Sequence, residues 1–135
     1  MLRTTLFSVA LSALLTQNAI ATTAITLVCK GSTTFSEPGK KLHTIEGIIQ
    51  SIVVDLKKKT LSLESVPHTE CCEITQINDH IVRFEAKISR TPPAKSSVIT
   101  GQLNRISGET DWKEHVEAGP LATTILKCRA KDRLF

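Results

Sequence analysis

Residues 121–130 read Leu-Ala-Thr-Thr-Ile-Leu-Lys-Cys-Arg-Ala, and their alternation decides the fold class. Ala122, Thr124, Leu126 and Cys128 fall on one face, with Ile125, Lys127 and Arg129 on the other. A period of two is that of a strand with one face toward a core, not of a helix. The same period opens the chain's globular part. Between Thr23 and Lys30, Ile25, Leu27 and Cys29 share a face. Each of these two runs therefore carries one cysteine on its apolar side.

Between them lie more short, β-branched runs, separated by polar or glycine-bearing breaks. Gly31 to Lys41, with Pro38-Gly39, reads as a loop. Thr44 to Leu56 and Leu61 to Val66 flank a turn at residues 55–60 and read as a hairpin. Pro67-His68 breaks the pattern. Cys71 to Ile77 and His80 to Ile88 flank Asn78-Asp79, a pair that tolerates left-handed backbone. Arg90 to Ser96 holds Pro92-Pro93 and reads as a second long loop. Ser97 to Ile106 is a strand with Gly101 inside it, where a bulge or bend is expected. Thr110 to Glu117 is the next strand, and Gly119-Pro120 precedes the last. The expectation is an all-β domain, an antiparallel meander of about eight strands closing into a small barrel, with a β-sandwich as the alternative. Closure removes exposed strand edges. An eight-stranded interior is filled by side chains or holds one small ligand.

The N-terminus has a different character. Arg3 precedes a ten-residue apolar run, Leu6 to Leu15, and Ala19-Ile20-Ala21 has the small-x-small form of a cleavage site. This is the pattern of a secretory signal peptide over residues 1–21, leaving residues 22–135 as one domain. Ten residues make about 15 Å of helix, half of what a membrane span needs. An exported protein, periplasmic or secreted, is expected, monomeric and without a membrane span. Cleavage removes one of the 17 basic residues and none of the 13 acidic ones, so the domain is mildly basic. Its charges are dispersed, and the single run, Lys57-Lys58-Lys59, reads as a solvated turn. Clustered bases with interleaved aromatics are missing, which argues against a nucleic-acid partner.

Four cysteines, Cys29, Cys71, Cys72 and Cys128, permit three pairings. Cys29 and Cys128 lie on the apolar faces of the first and last strands, which become neighbours if the meander closes. A disulfide between them is the leading expectation. Cys71 and Cys72 are adjacent, and adjacent strand residues point to opposite faces. Alternatives are that one of them pairs with Cys29 or Cys128, that they form a redox pair, or that His68, Cys71, Cys72 and His80 hold a metal. No cofactor is expected.

No nucleophile elbow, zinc-protease motif or phosphate-binding loop occurs. Asp111 and His115 are a conceivable acid/base pair, within the stretch Glu109 to Glu117 that also holds the sole tryptophan. That stretch reads more simply as a charged edge strand whose Trp112 packs over the mouth of the core. Trp112 is the leading candidate for a partner or ligand contact, because aromatic anchors dominate interfaces. Arg105 follows Leu103 by two and is expected near the interior end of its strand. There it would pair with Asp55 or Asp111, or grip an anionic ligand.

Taken together, several short motifs resemble a group of small exported proteins from rhizobium-type bacteria. They are Leu27-x-Cys29-x-Gly31, Val53-Val54-Asp55-Leu56, Ile81-x-x-Phe84, Gly101-x-Leu103-x-Arg105-x-Ser107-Gly108, and Leu126-x-Cys128 with Leu134-Phe135. The group often has Asp-Arg at Asn104-Arg105, Thr-Gly at Ser107-Gly108, and Pro-Ala soon after the last cysteine. The resemblance implies export, an all-β fold and a first-strand/last-strand cysteine pair, and brings no activity with it. The functional expectation is a non-enzymatic module binding a small ligand or an envelope protein. The metal- or thiol-dependent site at His68, Cys71, Cys72 and His80 is the alternative.

Overall fold

The computed structural model describes residues 24–66 and 71–131. The expected leader, and His68, lie outside them. Eight antiparallel strands follow one another around a closed barrel. They are β1 (Ala24–Ser36), β2 (His43–Asp55), β3 (Thr60–Leu63), β4 (Cys72–Ile77), β5 (Ile81–Ile88), β6 (Ser97–Asn104), β7 (Glu109–Val116) and β8 (Leu121–Ala130). The barrel, not the sandwich, is the architecture. Its outer wall carries exposed Lys30, Arg83, Glu85, Lys87, Lys113 and Lys127, so the alternation that buries one face solvates the other.

Three expectations are corrected. Gly31 to Ser36 is strand, not loop, because β1 is paired along this stretch with β8, Gly31 lying opposite Leu126 and Ser36 opposite Leu121. β7 is not an edge strand, since it pairs with β6 on one side and β8 on the other. Gly101 is not a bulge, for the register runs through it on both sides. It makes room instead: a Cβ there would collide with the Phe84 ring and the Cβ of Trp112. Phe84 and Trp112 fill the space, with ring centroids 6.5 Å apart and planes tilted by 59°, a favoured aromatic arrangement.

The core runs along the barrel axis and includes fully buried Ile52, Leu61, Leu63, Val82, Ile99 and Leu126. Toward the end where β1 finishes, the interior turns polar. Thr33 and Thr124 share a hydroxyl hydrogen bond of 2.8 Å between their strands. Ser97 donates to Glu114 Oε1 at 3.0 Å. Arg90, from the β5–β6 loop, donates to the Lys95 carbonyl at 3.0 Å and lies 3.9 Å from Glu114. These bonds tie that end together with groups that satisfy one another.

Candidate functional site: the open mouth of the barrel

The opposite end carries a cavity of about 630 Å³, within the size range of small-ligand pockets. Its floor is apolar and buried, formed by Val54, Val82 and Leu103. Leu27 and Leu56 stand partly buried along its wall. Ile25 and Ile106 form the lip, the latter 72% exposed. Polar atoms come from the β6–β7 turn and from the end of β8, including Arg105 and Arg129.

The turn is built by Asn104, whose Oδ1 accepts hydrogen bonds from the amides of Ile106 (2.9 Å) and Ser107 (3.0 Å). Gly108 follows with φ 77°, a backbone region that favours glycine. A Cβ at Gly108 would also strike the Cys128 carbonyl. This close approach lets the Cys128 amide donate to the Gly108 carbonyl at 2.8 Å. Cys128 is itself bonded to Cys29, S–S 2.03 Å, directly across the β1–β8 seam that closes the barrel. Thr110 Oγ1 lies 3.2 Å from Cys128 Sγ. The expected disulfide therefore anchors the turn that forms one side of the mouth.

Arg105 is placed differently from expectation. It lies just past β6, exposed, and pairs with neither Asp55 nor Asp111. Its Nη1 donates to the Asn78 carbonyl at 2.7 Å, and its amide donates to the His80 carbonyl at 2.7 Å. Asn78 Oδ1 in turn accepts from the amides of His80 (2.9 Å) and Ile81 (2.8 Å). The Asn78-Asp79 turn thus positions the arginine, leaving most of its five donors unused. Asp55 is committed elsewhere: its Oδ1 accepts from the amides of Lys57 (3.1 Å) and Lys58 (2.9 Å). Among the described residues, no acidic side chain lines the cavity.

Trp112 is 4% exposed, packed inside on Phe84 and absent from the cavity lining. A protein partner cannot reach it on the folded surface, because its face of β7 points into the core rather than capping the mouth. Asp111 and His115 share the outward face of β7, four residues and about 13 Å apart. His115 borders two shallow surface depressions and Asp111 borders neither, so no common cleft joins them.

Cys71 and Cys72 are bonded to each other, S–S 2.06 Å. Cys71 precedes β4 and is not paired in the sheet, so the opposite-face rule for neighbouring strand residues does not govern the pair. Cys72 is 3% exposed, and Cys71 Sγ lies 3.7 Å from the Leu61 carbonyl. Sulfurs held in a disulfide offer no thiolate to a metal. Among the described residues, no three His, Cys, Asp or Glu side chains converge as ligands. Of the four residues His68, Cys71, Cys72 and His80, the structure thus shows the two cysteines bonded to each other and His80 in the Asn78-Asp79 turn, and His68 lies outside the described residues. Compared with protein-family models, curated proteins and solved structures, the chain matches none.

Residue-by-residue reading missed Arg129 and the cooperation of Asn104 with Gly108. The Asn-x-x-x-Gly spacing of Asn104 to Gly108 was the available signal, since a side-chain-capped turn ending in a left-handed glycine is a recognisable unit. For Arg129 there was none, because its place at the mouth depends on which strands become neighbours.

Proposed function

We propose that the protein is a non-enzymatic binding barrel, exported to the bacterial envelope, that takes a small ligand in its open mouth. The observation that carries this is the cavity itself: a buried apolar floor, an exposed apolar lip and polar groups confined to one side. Small-molecule sites have this composition, mostly apolar with a few placed polar groups that orient the guest. Export is supported by the leader-like N-terminus and by two disulfides, which persist in oxidising compartments. A protein-binding role has less support, since the sole tryptophan, its expected anchor, is internal.

Native mass spectrometry of the protein recovered from its own cells tests this. The expected result is a mass above that of the polypeptide that disappears on denaturation. A bare polypeptide that also binds no member of a small-molecule panel would overturn it.

A further inference from the structure

The charges around the mouth point to the kind of ligand. Three turns and both ends of the described chain meet at this end of the barrel. They bring Lys57, Lys58, Lys59, Arg105, Arg129 and Lys131 together against Asp55, Glu73, Asp79 and Glu109, Glu73 lying opposite Thr60 beside the lysine turn. Asp55 is nearly buried and occupied by the Lys57 and Lys58 amides. Arg105 and Arg129 stand exposed at the rim of the cavity, Arg129 bordering it from the outward face of β8, and neither forms an ion pair among the described residues. A cleft with low-dielectric walls and one sign of charge focuses its field and concentrates ligands of the opposite sign.

The apolar part limits size. On β1 the wall consists of Ile25 and Leu27, two inward-facing positions spanning about 7 Å along the strand. Beneath them, fully buried Ile52, Leu61 and Phe84 close the barrel. A short alkyl chain fits that depth and a long one does not.

We infer that the mouth binds an amphipathic anion: a short, flexible apolar chain against Val54, Val82 and Leu103, with a carboxylate or phosphate head between Arg105 and Arg129. This deepens the ligand-binding reading and rests on it. Carboxylate and phosphate both suit guanidinium donors, singly or as a bidentate pair. Arg105 is already oriented by Asn78, so binding a head group costs it little further ordering.

The test is calorimetric titration of the full protein with octanoate, octyl phosphate and 1-octanol at low salt. The two anions are expected to bind at least about tenfold more tightly than the alcohol, the scale of one charge-assisted contact. Arg129→Gln is expected to remove most of that advantage, so that the anions fall toward the affinity of the alcohol. Arg105→Lys, which retains the charge and a donor, serves as a second variant should Arg105→Gln disturb the Asn78 turn. Equal binding of anions and alcohol would overturn the inference and leave the ligand site standing. No binding of any of the three would overturn both. Binding to vesicles of anionic phospholipid without binding to the free amphiphiles would also overturn it, by assigning the basic end to a membrane surface.

Discussion

Among the described residues, Gln50 carries the one buried side-chain polar atom without a hydrogen-bond partner. It faces inward on β2 opposite Cys29, is 6% exposed, and its Oε1 has no hydrogen-bond partner. A buried amide oxygen left unpaired costs about 1–3 kcal/mol. Gln50→Met, similar in length and apolar, is therefore expected to raise unfolding stability by about 1 kcal/mol. Urea denaturation followed by Trp112 emission measures it, and an unchanged or lower midpoint would show that the oxygen is satisfied in solution. Gly101 presents the opposite case. Gly101→Ala puts a methyl against Phe84 and Trp112 and is expected to destabilise by about 1–3 kcal/mol. Adding Phe84→Leu should recover part of that loss, because the two changes share one space. A purely additive double variant would count against the packing explanation. Residue identity alone suggested neither effect: a strand glycine suggested a bulge or bend, and Gln50, although it shares the parity of Ile52 and Val54, is not a residue type that marks an inward position.

At the scale of elements, alternation was legible and pairing was only partly so. The face assignments of β5 and β8 follow directly from period two, and so does the placement of Cys29 and Cys128. What a single strand does not encode is its neighbour. Gly31 to Ser36 looks like a loop until β8 lies alongside it, and Glu109 to Val116 looks like a charged edge until β8 closes the ring. Cys71 and Cys72 look unable to bond if both are assumed to lie in a strand. The two disulfides should also differ in energetic weight. Cys29 and Cys128 are 99 residues apart, and on a chain-entropy view such a closure contributes about 4.7 kcal/mol. The Cys29→Ala, Cys128→Ala double variant is expected to lose about 2–5 kcal/mol. The Cys71→Ala, Cys72→Ala variant, which opens almost no loop, should lose well under half as much. Parallel denaturation of both variants checks the order, and a reversed order would mean that packing of Cys72 against the core outweighs loop entropy.

Over the whole molecule, the barrel is asymmetric along its axis. One end is tied by Thr33–Thr124, Ser97–Glu114 and Arg90; the other opens onto an apolar floor beneath basic turns. The lysine run, a solvated turn when read alone, gains a setting only through closure, which carries residues 57–59 to the same end as Arg105 and Arg129. This separates long-range from contact electrostatics. Exposed lysines beyond the lip act through a field screened over about 10 Å at 0.1 M salt, whereas a guanidinium touching the head group is screened much less. Lys57→Glu with Lys58→Glu is thus expected to weaken octanoate binding several-fold at 20 mM salt, and the deficit should largely vanish near 0.5 M. The Arg129→Gln deficit should survive that salt change, because contact hydrogen bonds do not depend on a diffuse field. Titrations of both variants at the two salt concentrations distinguish them. If both deficits fade together, the arginine acts only as part of the field and not as a head-group ligand.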